Sequence, residues 1–87
     1  MPAAAEHPSM NQKIFTLGLP VETVSLYLLC CALADQGTTI SEATLEKVWT
    51  DSPQHLTRSL AELTARGIIE PIAAGAFRVN PPDRWQG

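Results

Sequence analysis

The segment from Val21 to Ala34 constrains the fold of this 87-residue chain more than any other part, because eleven of its fourteen residues are apolar. Pro20 and Glu22 are typical of a helix start, and Gly37 is typical of a helix end. Successive helical residues are rotated by about 100°, so apolar side chains fall on all sides of the predicted helix. Such a helix is normally buried all round. Because a small domain covers only one of its faces, we expect the other face to meet a second chain.

The predicted contact between chains uses one side of this helix. Val21 and Leu28 fall in a stripe on one side, and the contact is assigned to the nearly opposite side. The short apolar run from Lys13 to Leu17 predicts either a strand or an extended arm lying on a partner, and periodicity does not separate the two. In a monomer, this run would instead cover the second face of the helix. The predicted homodimer interface comprises Phe15, Leu26, Leu29, Cys30 and Leu33.

The composition is that of one small, mildly acidic domain. Six Lys and Arg stand against nine Asp and Glu, a formal net charge of −3, and 45% of the residues are apolar. These values exclude collagen-like and fully disordered chains. The acidic balance opposes bulk coating of nucleic acid, since that binding depends on excess cations. Seven of the nine acids lie outside residues 52–77, with Asp51 at the edge of that range, so the net charge of the chain is more negative than that of this region.

Targeting and cysteine patterns favour a cytoplasmic protein. No apolar run approaches the roughly 20 residues of a membrane span, and residues 1–11 lack the pattern of a secretory signal. Cys30 and Cys31 are adjacent in a predicted helix and cannot form a disulfide with each other there. We expect them to be buried small hydrophobes, with a thiol sensor as the alternative. We expect residues 1–12 to be a disordered leader, 13–80 a single domain and 81–87 a tail.

Two shorter helices and a hairpin are predicted after Gly37. Ser41 is a good N-cap for a helix from Glu42 to Trp49. Ser52 or Asp51 caps the next helix, which begins at Pro53 and ends before Gly67. From there the period changes from 3.6 to about 2, which predicts strands at 68–72 and 76–79 joined by a turn that contains a glycine. The proline at position 71 predicts that the first of these is an edge strand.

The order of these elements predicts an α+β fold that is mostly α, with three helices and a small antiparallel sheet. The order resembles the winged helix-turn-helix family of prokaryotic transcription regulators over Val21 to Val79. The part with the closest resemblance runs from Leu56 through Leu60 and Leu63 to Gly67, and continues into Ile68 and Ile69. It is similar to the family's recognition helix and first wing strand.

The resemblance implies binding of double-stranded DNA by a homodimer. In DNA-binding members the second helix of the turn motif enters the major groove with its first residues towards the bases. Gln pairs well with adenine and Arg with guanine, and Thr contacts either a base or a thymine methyl. A free helix start also holds phosphate. The residues implied for DNA binding are Ser52, Gln54, His55, Thr57, Arg58 and Arg78.

The alternative function is a protein-interaction module of the same fold without DNA binding, and two observations support it. The hairpin tip at residues 73–75 carries no charge, and the first helix has a large apolar surface. His55 has a simpler interpretation as a solvated residue at the flank of its helix, and Arg58 as an ordinary surface residue. Trp49 is interpreted as core rather than as part of a ligand pocket. Trp85 either folds back over the sheet or anchors on a partner.

Catalysis and metal binding have no visible basis in the sequence. No Gly-rich phosphate loop, nucleophile elbow or close pair of carboxylates is present. Two distant histidines do not make a metal site. We therefore expect no enzymatic activity, no cofactor and no metal.

Overall fold

The computed structural model describes residues 11–73 and 75–86. These residues form three α-helices and a three-stranded antiparallel sheet, so the fold is α+β and mostly α, as predicted. The arrangement is compatible with a winged-helix fold. In chain order the elements are a 3-10 helix (Gln12–Thr16), α1 (Val21–Asp35), β1 (Ile40–Ser41), α2 (Glu42–Val48), α3 (Pro53–Ala65), β2 (Ile69–Ala73), β3 (Ala76–Val79) and a second 3-10 helix (Pro82–Arg84).

Caps fix the helix boundaries close to where the sequence predicts them. The Ser41 side chain accepts a hydrogen bond from the Thr44 amide, and the Thr44 hydroxyl accepts one from the Ser41 amide, so a capping box starts α2. The Ser52 hydroxyl accepts from the amide of His55 and starts α3. Helix α2 ends one residue before Trp49, whose backbone is extended. The Trp49 indole N–H instead donates to the Ser52 carbonyl at 2.9 Å.

The sheet has the strand order β1-β3-β2, with β3 in the centre. Its outer strand β2 contains Pro71, which confirms the predicted edge position. Gly67 precedes β2 with a φ of +73°, a backbone conformation that favours glycine. The predicted hairpin is confirmed, with β2 starting one residue later than expected, although residue 74 at its tip lies outside the described residues.

The core surrounds α1 more completely than the sequence predicts. Leu26 and Cys30 are fully buried and Leu33 is 9% exposed, all within this single chain. The assignment of these three residues to a dimer interface is therefore wrong, because side chains that the chain itself buries have no surface left for a partner. Helix α3 packs on α1, and its predicted inward leucines are buried.

The two ends of the described chain also differ from the expectation. The run from Lys13 to Leu17 is neither a strand nor an extended arm, because it consists of most of the 3-10 helix and its C-cap, Leu17, and this helix places Ile14 in the core. Residues 1–10 of the predicted leader lie outside the described residues. Trp85 folds back into the chain's own core at 7% exposure, which removes the alternative of an anchor on a partner.

Candidate functional site

Helix α3 presents the three residues that the resemblance places at a DNA groove. Gln54, Thr57 and Arg58 are exposed, and together with Pro53 they line one shallow depression. The Thr57 hydroxyl donates to the Pro53 carbonyl at 3.2 Å. The opposite side of the helix is anchored by buried leucines and by Ser59, which is fully buried. The helix is therefore firmly seated with its short polar strip facing outwards.

The start of α3 is occupied by a carboxylate of the chain itself. The Ser52 amide donates to Asp51 Oδ1 at 2.6 Å, and His55 Nδ1 lies 2.9 Å from Asp51 Oδ2. The hydrogen bond from His55, followed by that from the Ser52 amide, lowers the pKa of Asp51, so this carboxylate is ionised at neutral pH. The Ser52 hydroxyl is itself used as the N-cap. A negative charge thus lies close to where a bound phosphate was expected.

Three of the four arginines in residues 51–86 are paired with acids. Arg78 forms an ion pair with Glu70, its direct cross-strand partner, and Arg84 Nη1 lies 3.8 Å from the same carboxylate. Arg66 Nε lies 3.5 Å from Glu62 Oε2 on α3. Residues 51–86 hold four arginines and four acids. Among those arginines, Arg58 is the one with no carboxylate partner in the described part of the chain.

A second surface lies on the side of α1 that the core leaves open. Val21, Ser25, Leu28 and Ala32 form an exposed stripe at helical spacing, with Val21 80% exposed. The first three residues of this stripe and the end of α2 form a groove. Its lining residues are Val21, Glu22, Ser25, Leu28, Leu29, Val48, Trp49, Thr50 and Asp51.

The groove continues towards the first 3-10 helix. A neighbouring depression shares Val21 and Ser25 with it, and extends past Leu19 to Ile14 and Phe15. Phe15 is 58% exposed. We call the two depressions together the α1 groove. They form one continuous apolar surface of the kind that marks association sites.

Sequence reasoning placed the free face of α1 on the wrong side. The polar residues of the apolar run carried the missing signal, since Ser25 lies in the exposed stripe and Glu22 lies next to it. Of the predicted interface residues, Phe15 is exposed and Leu29 is half-buried in the groove lining. Those two are accessible at the surface.

The cysteines take part in neither surface. Burial raises the pKa of the Cys30 thiol to about 12 and that of Cys31 to about 11. Both therefore stay protonated at neutral pH, which favours a packing role over a sensor. Among the described residues, no group of three or more His, Cys, Asp or Glu side chains is arranged to hold a metal. The described helices include none that is long and apolar enough to cross a membrane.

No protein-family profile, curated protein or solved structure matches this chain.

Proposed function

We propose that this chain is a protein-interaction module of winged-helix type that binds its partner through the α1 groove. The observation that carries the proposal is the exposure of apolar side chains along one continuous surface. Phe15, Val21, Leu28 and Val48 are 58%, 80%, 37% and 40% exposed. Side chains of this kind in one contiguous patch are unusual on a protein that associates with nothing.

Electrostatics favours a protein over DNA as the partner. Affinity for DNA grows with the number of phosphates that Lys and Arg neutralise. Residues 51–86, which include α3 and the hairpin, have no net charge, since four arginines are balanced by four acids. Glu70 and Glu62 hold three of those arginines in ion pairs, and Asp51 adds a negative charge at the helix start.

Site-specific photocrosslinking in the cells that produce the protein tests the proposal. A photoreactive amino acid is placed at Leu28 in the α1 groove, at Thr57 on α3, and at Ile72 on the sheet as an exposed apolar control. We expect a discrete adduct with one protein, identified by mass spectrometry, at position 28 only. The same adducts at positions 28 and 72, or none at 28, would overturn the proposal.

A second candidate function is sequence-specific DNA binding by a homodimer, as a transcription regulator. The observation that favours it is the exposed strip of Gln54, Thr57 and Arg58 around one depression. These side chains suit adenine, thymine and guanine edges. A dimer doubles the few phosphate contacts that one chain supplies. Nucleic-acid adducts at position 57 in the same experiment would support this candidate.

Both candidates are proposed for the cytoplasm. The proposal is supported by two cysteines that are free and buried in the described fold. Thiols that are kept reduced are the rule in that compartment.

A further inference from the structure

We infer that the α1 groove takes a cationic amphipathic helix of another protein. This inference rests on the proposed function of the groove as a protein-binding site, and it names the chemistry of the partner. The lining is apolar except for a few polar side chains, and the charged residues within it are Glu22 and Asp51. Both are acidic.

The negative charge of the groove is not cancelled from within. Neither of its two parts includes a Lys or Arg among the described lining residues. Lys13, next to Ile14 in sequence, points elsewhere, because its Nζ donates to the Pro82 carbonyl at 3.2 Å and lies 5.9 Å from the Trp85 ring centroid. Asp51 is held ionised by its hydrogen bonds. A partner that brings aliphatic side chains and flanking cations therefore matches both properties of the surface.

The shape of the groove suits a helix. Its walls are side chains from α1, the end of α2 and the first 3-10 helix, and none of its lining residues belongs to a strand. An added strand would find no backbone edge to pair with there. An amphipathic helix in a groove is held by apolar anchors at positions i, i+3 or i+4, and i+7. The part of the exposed α1 stripe that lines the groove runs from Val21 to Leu28, about 10 Å at 1.5 Å per residue, which matches about two turns of a partner helix.

A second copy of the chain fits the groove less well. A two-fold contact through this surface would bring Glu22 and Asp51 of both copies into one interface. The described lining offers no cation to offset these four acids. Like charges brought together in an interface oppose association.

Two synthetic helical peptides test the inference with the whole 87-residue protein. Both carry leucines at the same i, i+3, i+4 and i+7 positions, with lysine at the other positions of one peptide and glutamate in the other. Binding is measured by fluorescence anisotropy at low and high salt. We expect the lysine peptide to bind about fivefold or more tightly than the glutamate peptide, with a preference that shrinks as salt is added.

Matched variants assign the preference to the groove. Glu22 and Glu42 both lie in the first turn of a helix, but only Glu22 lines the groove. Glu22→Gln should reduce the lysine preference about twofold or more, and Glu42→Gln should leave it unchanged. Leu28→Asn should abolish binding of both peptides, whereas Ile72→Asn should not. Circular dichroism verifies that each variant is folded.

Three outcomes would overturn the inference. They are equal binding of the two peptides, equal effects of Glu22→Gln and Glu42→Gln, and a homodimer in sedimentation that Leu28→Asn dissociates. A protein adduct at position 28 in cells without any lysine preference in the peptides would leave the proposed function intact and refute only the cationic partner. No adduct, together with a clear lysine preference, would refute the proposed function instead.

Discussion

The rings of Tyr27 and Trp85 meet edge to face, with their centroids 5.4 Å apart and their planes at 83°. The Tyr27 hydroxyl accepts a hydrogen bond from the Asn11 amide at 2.9 Å, and the Trp85 indole N–H donates to the Asn80 carbonyl at 3.0 Å. Helix α1 is thereby joined to both ends of the described chain. Aromatic pairs in this geometry stabilise a fold beyond the area that they bury.

Removal of the Trp85 ring should destabilise the whole domain. We expect Trp85→Ala to lower the free energy of unfolding by about 3–5 kcal/mol, the usual cost of deleting a buried aromatic side chain. That is a large part of the total stability of a small domain. Urea denaturation followed by far-ultraviolet circular dichroism measures it. Gln86→Ala is the control, because that side chain is exposed. Equal midpoints for the two variants would contradict the packing of Trp85 in the core.

The buried thiols should make the protein sensitive to alkali. The pKa of Cys30 is raised from 9.0 to about 12 and that of Cys31 from 9.0 to about 11, mainly by burial. Above the unfolded pKa the unfolded chain releases these protons while the folded chain keeps them, so stability falls as pH rises. By a pH of about 10 the loss should be about 1 kcal/mol per thiol.

Urea midpoints at pH values of about 8 and 10 test this dependence. The double variant Cys30→Ala, Cys31→Ala should show a much flatter dependence, retaining the smaller part due to Tyr27, whose pKa burial also raises. A wild-type stability that stays constant over this range would refute the assignment.

Gly67 should tolerate a side chain less well than Gly37. Both have a positive φ, +73° and +75°. A Cβ on Gly67 would lie 2.9 Å from the Arg84 carbonyl oxygen, while one on Gly37 would meet nothing within 4 Å. Gly37→Ala should cost about 1 kcal/mol from backbone strain alone. Gly67→Ala should cost distinctly more in the same urea assay, and equal costs would show that the backbone around Arg84 yields freely.

DNA binding by an Arg58 variant distinguishes the two candidate functions. If α3 reads DNA, Arg58→Ala should weaken binding to a cognate duplex by about 1–3 kcal/mol. Arg66→Ala should have a smaller effect, since Glu62 already pairs with Arg66. Anisotropy over a salt titration measures both. No binding to mixed-sequence duplex DNA even at low salt would remove the DNA candidate and leave the α1 groove as the functional surface.

Local sequence signals were sufficient to predict the helices and the hairpin. Ser41, Ser52 and Gly67 act through hydrogen bonds or backbone conformations that depend on neighbours within a few residues. The outward position of Gln54 and Arg58 followed for the same reason, because the leucine spacing of α3 determines which side faces the core.

The free face of α1 was not predictable in this way. A helix that is apolar on every side carries almost no directional signal, and its buried side was decided by segments distant in sequence. Ile14 and Trp85, which contribute to the core around α1, lie in segments that showed no regular pattern. The ion pair between Glu70 and Arg78 was equally unpredictable, because the register of β2 and β3 depends on an irregularity between Pro71 and Ala73.

Pro71 also affects how the sheet of this chain can associate with other chains. It lies in the middle of the outer strand β2 and has no amide hydrogen, so the exposed edge lacks a donor that an incoming strand would need. The opposite edge strand, β1, is only two residues long. The sheet is therefore protected on both sides from growth into a larger sheet and from edge-to-edge aggregation. Recognition by strand addition is disfavoured, and association is left to the helices.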